Sequence, residues 1–391
     1  MFSSRTNWPL APNRLSELLR ERKARGLPIL DLTESNPTRC GLTLDEDEIL
    51  PPLRNSRALR YEPDPRGLLV AREAVAQYYS QRGVQLHPDQ IFLTSSTSEA
   101  YSFVFRLLAN PGDGILAPQP SYPLLEFLAA LNDVQMLTYP LVYDDGWLVD
   151  LDALEARVGA RARAVLVVHP NNPTGSYLKL REQARLQEIC TRSRAAIIAD
   201  EVFADYPLGA DAGRVATHAA GAEVLTFTLS GLSKICALPQ MKLGWIVVSG
   251  PRELREMAGA RLEVVADTYL PVSAPVALAM PEWLARRQAI QTRILERLQS
   301  NLHTLDAVLA RGLPVSRRSV EGGWYVILRV PSTRSDEDWA AALLTHEGVA
   351  VHPGHFYDFS SEGFLVLSLL PPPEVFEAGL SRLISHIGAH N

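Results

Sequence analysis

Three stretches of this chain each close an apolar run and carry a side chain able to do chemistry. They are His169-Pro170-Asn171-Asn172-Pro173-Thr174-Gly175, Asp200-Glu201-Val202-Phe203 and Ser230-Gly231-Leu232-Ser233-Lys234. In order they offer an amide (Asn172), a carboxylate (Asp200) and an amine (Lys234). An amine condenses with an aldehyde to an imine, and an amino substrate displaces it by exchange. The freed amine can then move the proton on the substrate's α-carbon. A carboxylate facing a ring nitrogen keeps it protonated, so the ring drains electrons from that carbon. An amide can meet a phenolic oxygen. The ordered set is what is needed to hold a pyridoxal ring and bind its aldehyde covalently. Each piece alone has a plainer reading: a solvated lysine, a helix cap, an Asn-Pro turn.

A fourth stretch, Thr94-Ser95-Ser96-Thr97-Ser98-Glu99, follows an apolar run and opens a helical pattern. Ser96 with Glu99 fits a capping box. Free amides at a helix start attract a phosphate, and the hydroxyls of Ser96, Thr97 and Ser98 add donors. By itself the stretch reads as a cap; upstream of a pyridoxal lysine it reads as a phosphate cradle.

Such groups must be held at strand ends. Ile91–Thr94, Gly114–Ala117, Val134–Leu137, Ala164–Val168, Ala195–Ala199, Val224–Leu229 and Gly244–Val248 are apolar runs without polar alternation, separated by helical patterns. This indicates an α/β fold, a mostly parallel sheet with helices on both faces. Ligands of such sheets sit at the strands' carboxyl ends, where all these motifs fall. A long helical pattern over 281–310 reads as a spine. Beyond it, strands at 324–330 and 364–369 and a helix at 336–346 form a smaller α+β unit, onto which a helix over 15–25 packs. The chain of 391 residues is long for one core. The expected division is a large cofactor-binding domain over 46–289, with a discontinuous small domain from 1–45 and 290–391.

Composition narrows the function. A net charge of −6 gives no sign of a nucleic-acid partner. No apolar run approaches membrane-spanning length, and no signal peptide is visible at Met1–Leu10. Cys40, Cys190 and Cys236 are too widely spaced for a metal or disulfide framework. A cytoplasmic protein is expected. No metal-ligand spacing, Walker loop or serine triad is found.

With these motifs, from Asn36-Pro37 to Ser368, the chain resembles a class I/II aminotransferase of the fold-type I pyridoxal-phosphate superfamily. The resemblance implies pyridoxal 5′-phosphate as cofactor, with Lys234 as the Schiff-base lysine, Asp200 as the pyridinium partner and Asn172 as the phenolate contact. Tyr122, in Pro120-Ser121-Tyr122-Pro123, matches the aromatic that stacks on the ring. Tyr61, in Tyr61-Glu62-Pro63-Asp64-Pro65-Arg66-Gly67, matches a tyrosine reaching the phosphate of the neighbouring subunit. A homodimer with shared sites follows, with a small-molecule amino donor and oxo acceptor as its substrates.

Departures from the family pattern carry their own expectations. Phe203 stands where a tyrosine donates to the phenolic oxygen. Lys242, eight positions after Lys234, stands where an arginine flanks the phosphate; lysine keeps the charge and loses the fork. Gly231 replaces a serine, for which Ser230 can substitute. Val366 replaces the arginine that grips the substrate carboxylate through paired hydrogen bonds. Arg39, from the entrance loop, and His355 in the cleft are the candidates to take over, each with a plain structural alternative, and Asn36 of the same loop is a further expected substrate residue. The reading is a pyridoxal-phosphate-dependent aminotransferase moving an amino group between an amino acid or amine and a 2-oxo acid. Losing the arginine keeps a lyase, decarboxylase or oxidase of the same fold as the alternative. A ligand sensor fused to a DNA-binding module is disfavoured by the short segment before Asp31.

Overall fold

The computed structural model describes residues 1–159, 161–221, 223–312 and 314–390. Its larger sheet has eight strands: β1 (Ile91–Thr94), β2 (Gly114–Gln119), β3 (Gln135–Tyr143), β4 (Trp147–Val149), β5 (Ala162–Val168), β6 (Ala196–Asp200), β7 (Thr226–Gly231) and β8 (Gly244–Ser249). Their spatial order is β1-β8-β7-β6-β5-β2-β3-β4. The run β7-β6-β5-β2-β3 is parallel. β8 is antiparallel to both β1 and β7, and β4 is antiparallel to β3. Two reversals cancel, so β1 runs in the sense of β7. Its following loop therefore lands on the same edge as those after β5, β6 and β7.

Unbroken apolar strands follow from cover on both faces. Leu166, Ile198, Phe227 and Ile246 pack under the helices Thr97–Leu108, Leu124–Leu131 and Arg252–Tyr269. Val165, Val167 and Ile197 face the other way, against Leu154, Leu186 and Ile189 of the helices Leu151–Arg157 and Leu180–Ser193.

A second, antiparallel sheet orders the strands Ser316–Arg317, Tyr325–Arg329, Phe364–Ser368 and His352–Pro353. One face buries Val326, Leu328, Leu365 and Leu367 with Phe376, Leu380 and Leu383 of the C-terminal helix. The other face buries Ile327, Phe364 and Val366 with Trp147 and Tyr357. The helix Arg14–Ala24 lies beside this unit, Arg14 bonding Asp338 at 2.6 Å. The spine helix, Ala274–Leu309, begins seven residues before the sequence pattern suggests and carries Pro281 inside it. Its first half packs Ala277, Met280 and Trp283 against Trp245 and Val247 of β8. Its second half packs Ile294, Leu298 and Leu305 into the small-sheet core.

Candidate active site

Lys234 sits in the short helix Leu232–Ile235 immediately after β7, with its backbone carbonyl accepting from the Tyr206 hydroxyl. Its Nζ stands 4.6 Å from the Trp324 ring centre and 5.3 Å from that of Phe203. Burial pushes this amine down to about 8, against opposing pulls from Cys40 and Asp200. Asp200 ends β6. Its Oδ1 accepts the Val202 amide at 3.0 Å and its Oδ2 the Tyr101 hydroxyl at 2.7 Å. Burial raises the Asp200 carboxyl, and those two donors oppose the rise.

Two turns place Asn172 and Tyr122. The Asn171 side chain donates to the Pro120 carbonyl at 3.2 Å and to Thr174 Oγ1 at 3.0 Å. It thereby ties the turn after β5 to the turn after β2. The peptide bonds before Pro120, Pro170 and Pro173 are cis. The amide oxygen of Asn172 is buried and has no hydrogen-bond partner.

These side chains meet in one cavity of about 180 Å³. Lys234, Asp200, Asn172, Phe203, Tyr122, Thr97 and Ser98 line it, joined by Ser35, Tyr101, Ser233 and Tyr325. Among the described lining residues, Lys234 is the one cation. An amine with a depressed proton affinity, a carboxylate opposite, an orphaned amide and two hydroxyls at a helix start could hold pyridoxal phosphate. Among the described residues, no group of three His, Cys, Asp or Glu is placed to hold a metal ion. Nor is any helix there long and apolar enough to cross a membrane.

Other residues expected at the site lie outside the cavity lining. Ser96 caps the helix: its Oγ accepts the Glu99 amide at 3.2 Å, while the Glu99 carboxylate takes the Ser95 amide at 2.6 Å. Ser230 is buried and its hydroxyl donates to the Glu201 carbonyl at 3.4 Å, so Ser233 is the serine presented instead. Lys242 is exposed, with a left-handed φ of 53°. Asn36 spends its side-chain oxygen on the Thr38 amide and hydroxyl. Arg39 is exposed, and the entrance loop reaches the cavity through Ser35. His355 is exposed too. The histidine beside Val366 is His352, its cross-strand partner, whose Nδ1 lies 3.0 Å from the Tyr357 hydroxyl. Val366 itself is sealed in an aromatic cluster. Tyr61 is 76% exposed on this single chain.

Sequence reasoning missed Tyr101 and Tyr325. Tyr101 looks like one more apolar position of an amphipathic helix. Only its spacing of three and four residues from Ser98 and Thr97 could have flagged it.

Comparison with known proteins places this geometry. The model of the family described as aminotransferase class I and II matches residues 43–383. The glutamate-pyruvate aminotransferase AlaA of Haemophilus influenzae is 26% identical over 365 residues, covering 92% of this chain and 90% of that protein. Nicotianamine aminotransferase A of Hordeum vulgare is 27% identical over 377 residues, covering 92% and 80%. An aminotransferase structure from Escherichia coli overlays with a TM-score of 0.87 at 25% identity, covering 99% of this chain and 98% of that one. One family model thus runs through all four strand-end loops and the eight- and four-stranded sheets, and the chain belongs to the class I and II aminotransferases, enzymes that transfer amino groups with pyridoxal 5′-phosphate.

Proposed function

We propose that this aminotransferase exchanges amino groups between L-amino acids and 2-oxo acids, with Lys234 as the covalent anchor and proton carrier. Glutamate, alanine and their oxo acids are its first candidate substrates. The cavity, where a single depressed amine faces a buried carboxylate, carries the reading. The relatives named glutamate-pyruvate aminotransferase support the substrate pair. A lyase, decarboxylase or oxidase is not favoured, because the relatives reported are aminotransferases.

Bound pyridoxal phosphate supplies an electron sink that lowers the barrier to removing the substrate's α-proton. The chain's own residues do the rest. Lys234, neutral once released, would take that proton and deliver it to the carbon two atoms along, across the amino nitrogen. Asp200 holds a proton on the ring nitrogen. Asn172 donates to the phenolic oxygen, Thr97 and Ser98 hold the phosphate, and Tyr122 covers the ring. Lys242 and the partner subunit would complete the phosphate grip.

A homodimer belongs to the same reading. Leu59 and Tyr61 are exposed, as are Met257, Val264 and Leu270 on or just after the helix Arg252–Tyr269. Arg66 pairs with Glu263 at 2.8 Å, which brings the two segments together. Apolar exposure on this scale suits a contact surface. A cytoplasmic location fits the three buried, free cysteines. The domain division near 289–290 fits the change of core along the spine helix.

The test is spectroscopic. The purified enzyme is mixed with excess L-glutamate, and separately with L-alanine, without any oxo acid. Replacement of the yellow cofactor band by the band of the aminated cofactor is expected with both. A yellow protein that ignores both overturns the substrate assignment, and a protein that takes up no cofactor overturns the site.

A further inference from the structure

The Tyr101 hydroxyl donates to Asp200 Oδ2 at 2.7 Å, and both residues are buried. The other donor to this carboxylate, the Val202 amide, lies two residues away in Asp200's own loop. Tyr101 is therefore the group that ties Asp200 to a different element. That element is the helix Thr97–Leu108, whose first turn presents Thr97 and Ser98 to the same cavity. Residues three and four apart share one helix face.

We propose that Tyr101 is a positioning residue for the cofactor's ring nitrogen, acting through Asp200. It fixes the carboxylate's orientation and keeps it ionised, so that the nitrogen opposite stays protonated. The inference rests on Asp200 being the partner of that nitrogen. Burial alone drives the Asp200 carboxyl toward its neutral form, and a neutral acid cannot hold a pyridinium. The phenol opposes this because it donates. Burial beside Asp200 raises its own proton affinity, so it stays a donor across the working pH range. One rigid helix then indexes both ends of the cofactor, the phosphate through its first turn and the nitrogen through Tyr101. At metal sites, replacing the outer partner of a ligand commonly costs about 10–100-fold, and a loss at the low end of that range is expected here.

The experiment compares Tyr101→Phe with the parent. The variant removes one oxygen and keeps the ring that packs against Phe105 at 5.8 Å. Loaded with ¹⁵N-labelled pyridoxal phosphate, the variant should show its ring-nitrogen resonance at neutral pH moved toward the unprotonated position, as the proton shifts to a more basic Asp200. In the cofactor-free protein, the ¹³C carboxyl resonance of Asp200 should titrate at higher pH. Turnover should fall about tenfold with little change in KM. A purely packing role would move neither resonance, and two unmoved resonances overturn the proposal. Asp200→Asn is measured alongside. If it also leaves the nitrogen unmoved, the assignment of Asp200 has failed; if it alone moves the nitrogen, only the role of Tyr101 has failed. Should the phenylalanine variant not fold, a difluorotyrosine at 101 keeps the shape and strengthens the donor. The ring-nitrogen resonance should then move toward the protonated position and the Asp200 titration of the cofactor-free protein to lower pH, and two unmoved values overturn the proposal.

Discussion

Lys234 is an amine in a cavity whose polar walls are otherwise hydroxyls, an amide and an acid, and burial holds it at about 8 against an ordinary 10.5. A neutral amine is the nucleophile, so cofactor uptake should follow its deprotonation. Stopped-flow absorbance after adding pyridoxal phosphate to the cofactor-free enzyme should show a rate rising roughly tenfold per pH unit, then levelling above about 8. Lys234→Ala should show no such phase, and a flat profile would contradict the assignment. The same shift affects stability. Below pH 8 folded and unfolded chains both carry the proton, and the folded state bears the full burden of a buried charge. Between about 8 and 10.5 only the unfolded chain keeps it, so this group's contribution to stability rises across that window. Lys234, Asp200 and Asn172 were legible because each stands where a strand pattern breaks, and such breaks are visible in a linear sequence. The orientation of a hydroxyl is not. Ser230 and Ser233 look interchangeable on paper, yet only the latter faces the cavity. His355 and His352 differ in the same way, since pairing with Val366 depends on a register that turn residues alone do not reveal.

At the scale of the element, the loop bearing Lys234 depends on how closely two strand ends approach. Gly231 of β7 pairs with Gly244 of β8. A Cβ on Gly231 would come within 2.9 Å of the Gly244 Cα and of the Leu243 carbonyl oxygen. Gly244 in turn backs onto the phosphate loop, 3.1 Å from the Ser96 carbonyl carbon to its own would-be Cβ. The missing serine at 231 is thus excluded by backbone, which cannot move without shifting both ligand-bearing loops. Gly231→Ala should lower stability by about 1–3 kcal/mol, read as a shifted urea midpoint, and should weaken cofactor retention. A variant of unchanged midpoint and retention would mean the strands separate freely. Strand positions were readable from unbroken apolar runs, within about two residues at most ends. The opposite direction of β8 was not, because a fully buried strand looks the same whichever way it runs. The hairpin strand Trp147–Val149 is too short to register as a pattern.

For the whole molecule, shared sites make a demand that one chain cannot meet. If Tyr61 serves the partner's phosphate, Lys234→Ala and Tyr61→Ala lesions lie in different subunits of one site. Mixing the two poorly active variants under subunit exchange should restore roughly a quarter of parental activity, since half the dimers are hybrid and each regains one intact site. No gain on mixing would place Tyr61 outside the site. The α/β class was legible as a whole, whereas the sealed face around Val366 was not: Trp147 and Ile327 reach it from distant parts of the chain. The spine helix raises a matter of phase. Trp283 and Leu284 serve one core, while Ile294 and Leu298 serve the other, with unbroken helix between them. Each residue turns a helix by about 100°. A single inserted residue between 285 and 293 would swing one apolar stripe about a quarter-turn away from its core, while seven would nearly restore it. The two cores are geared together like wheels on one axle, so a length change of one residue that a loop would absorb disengages them when it falls along that shaft.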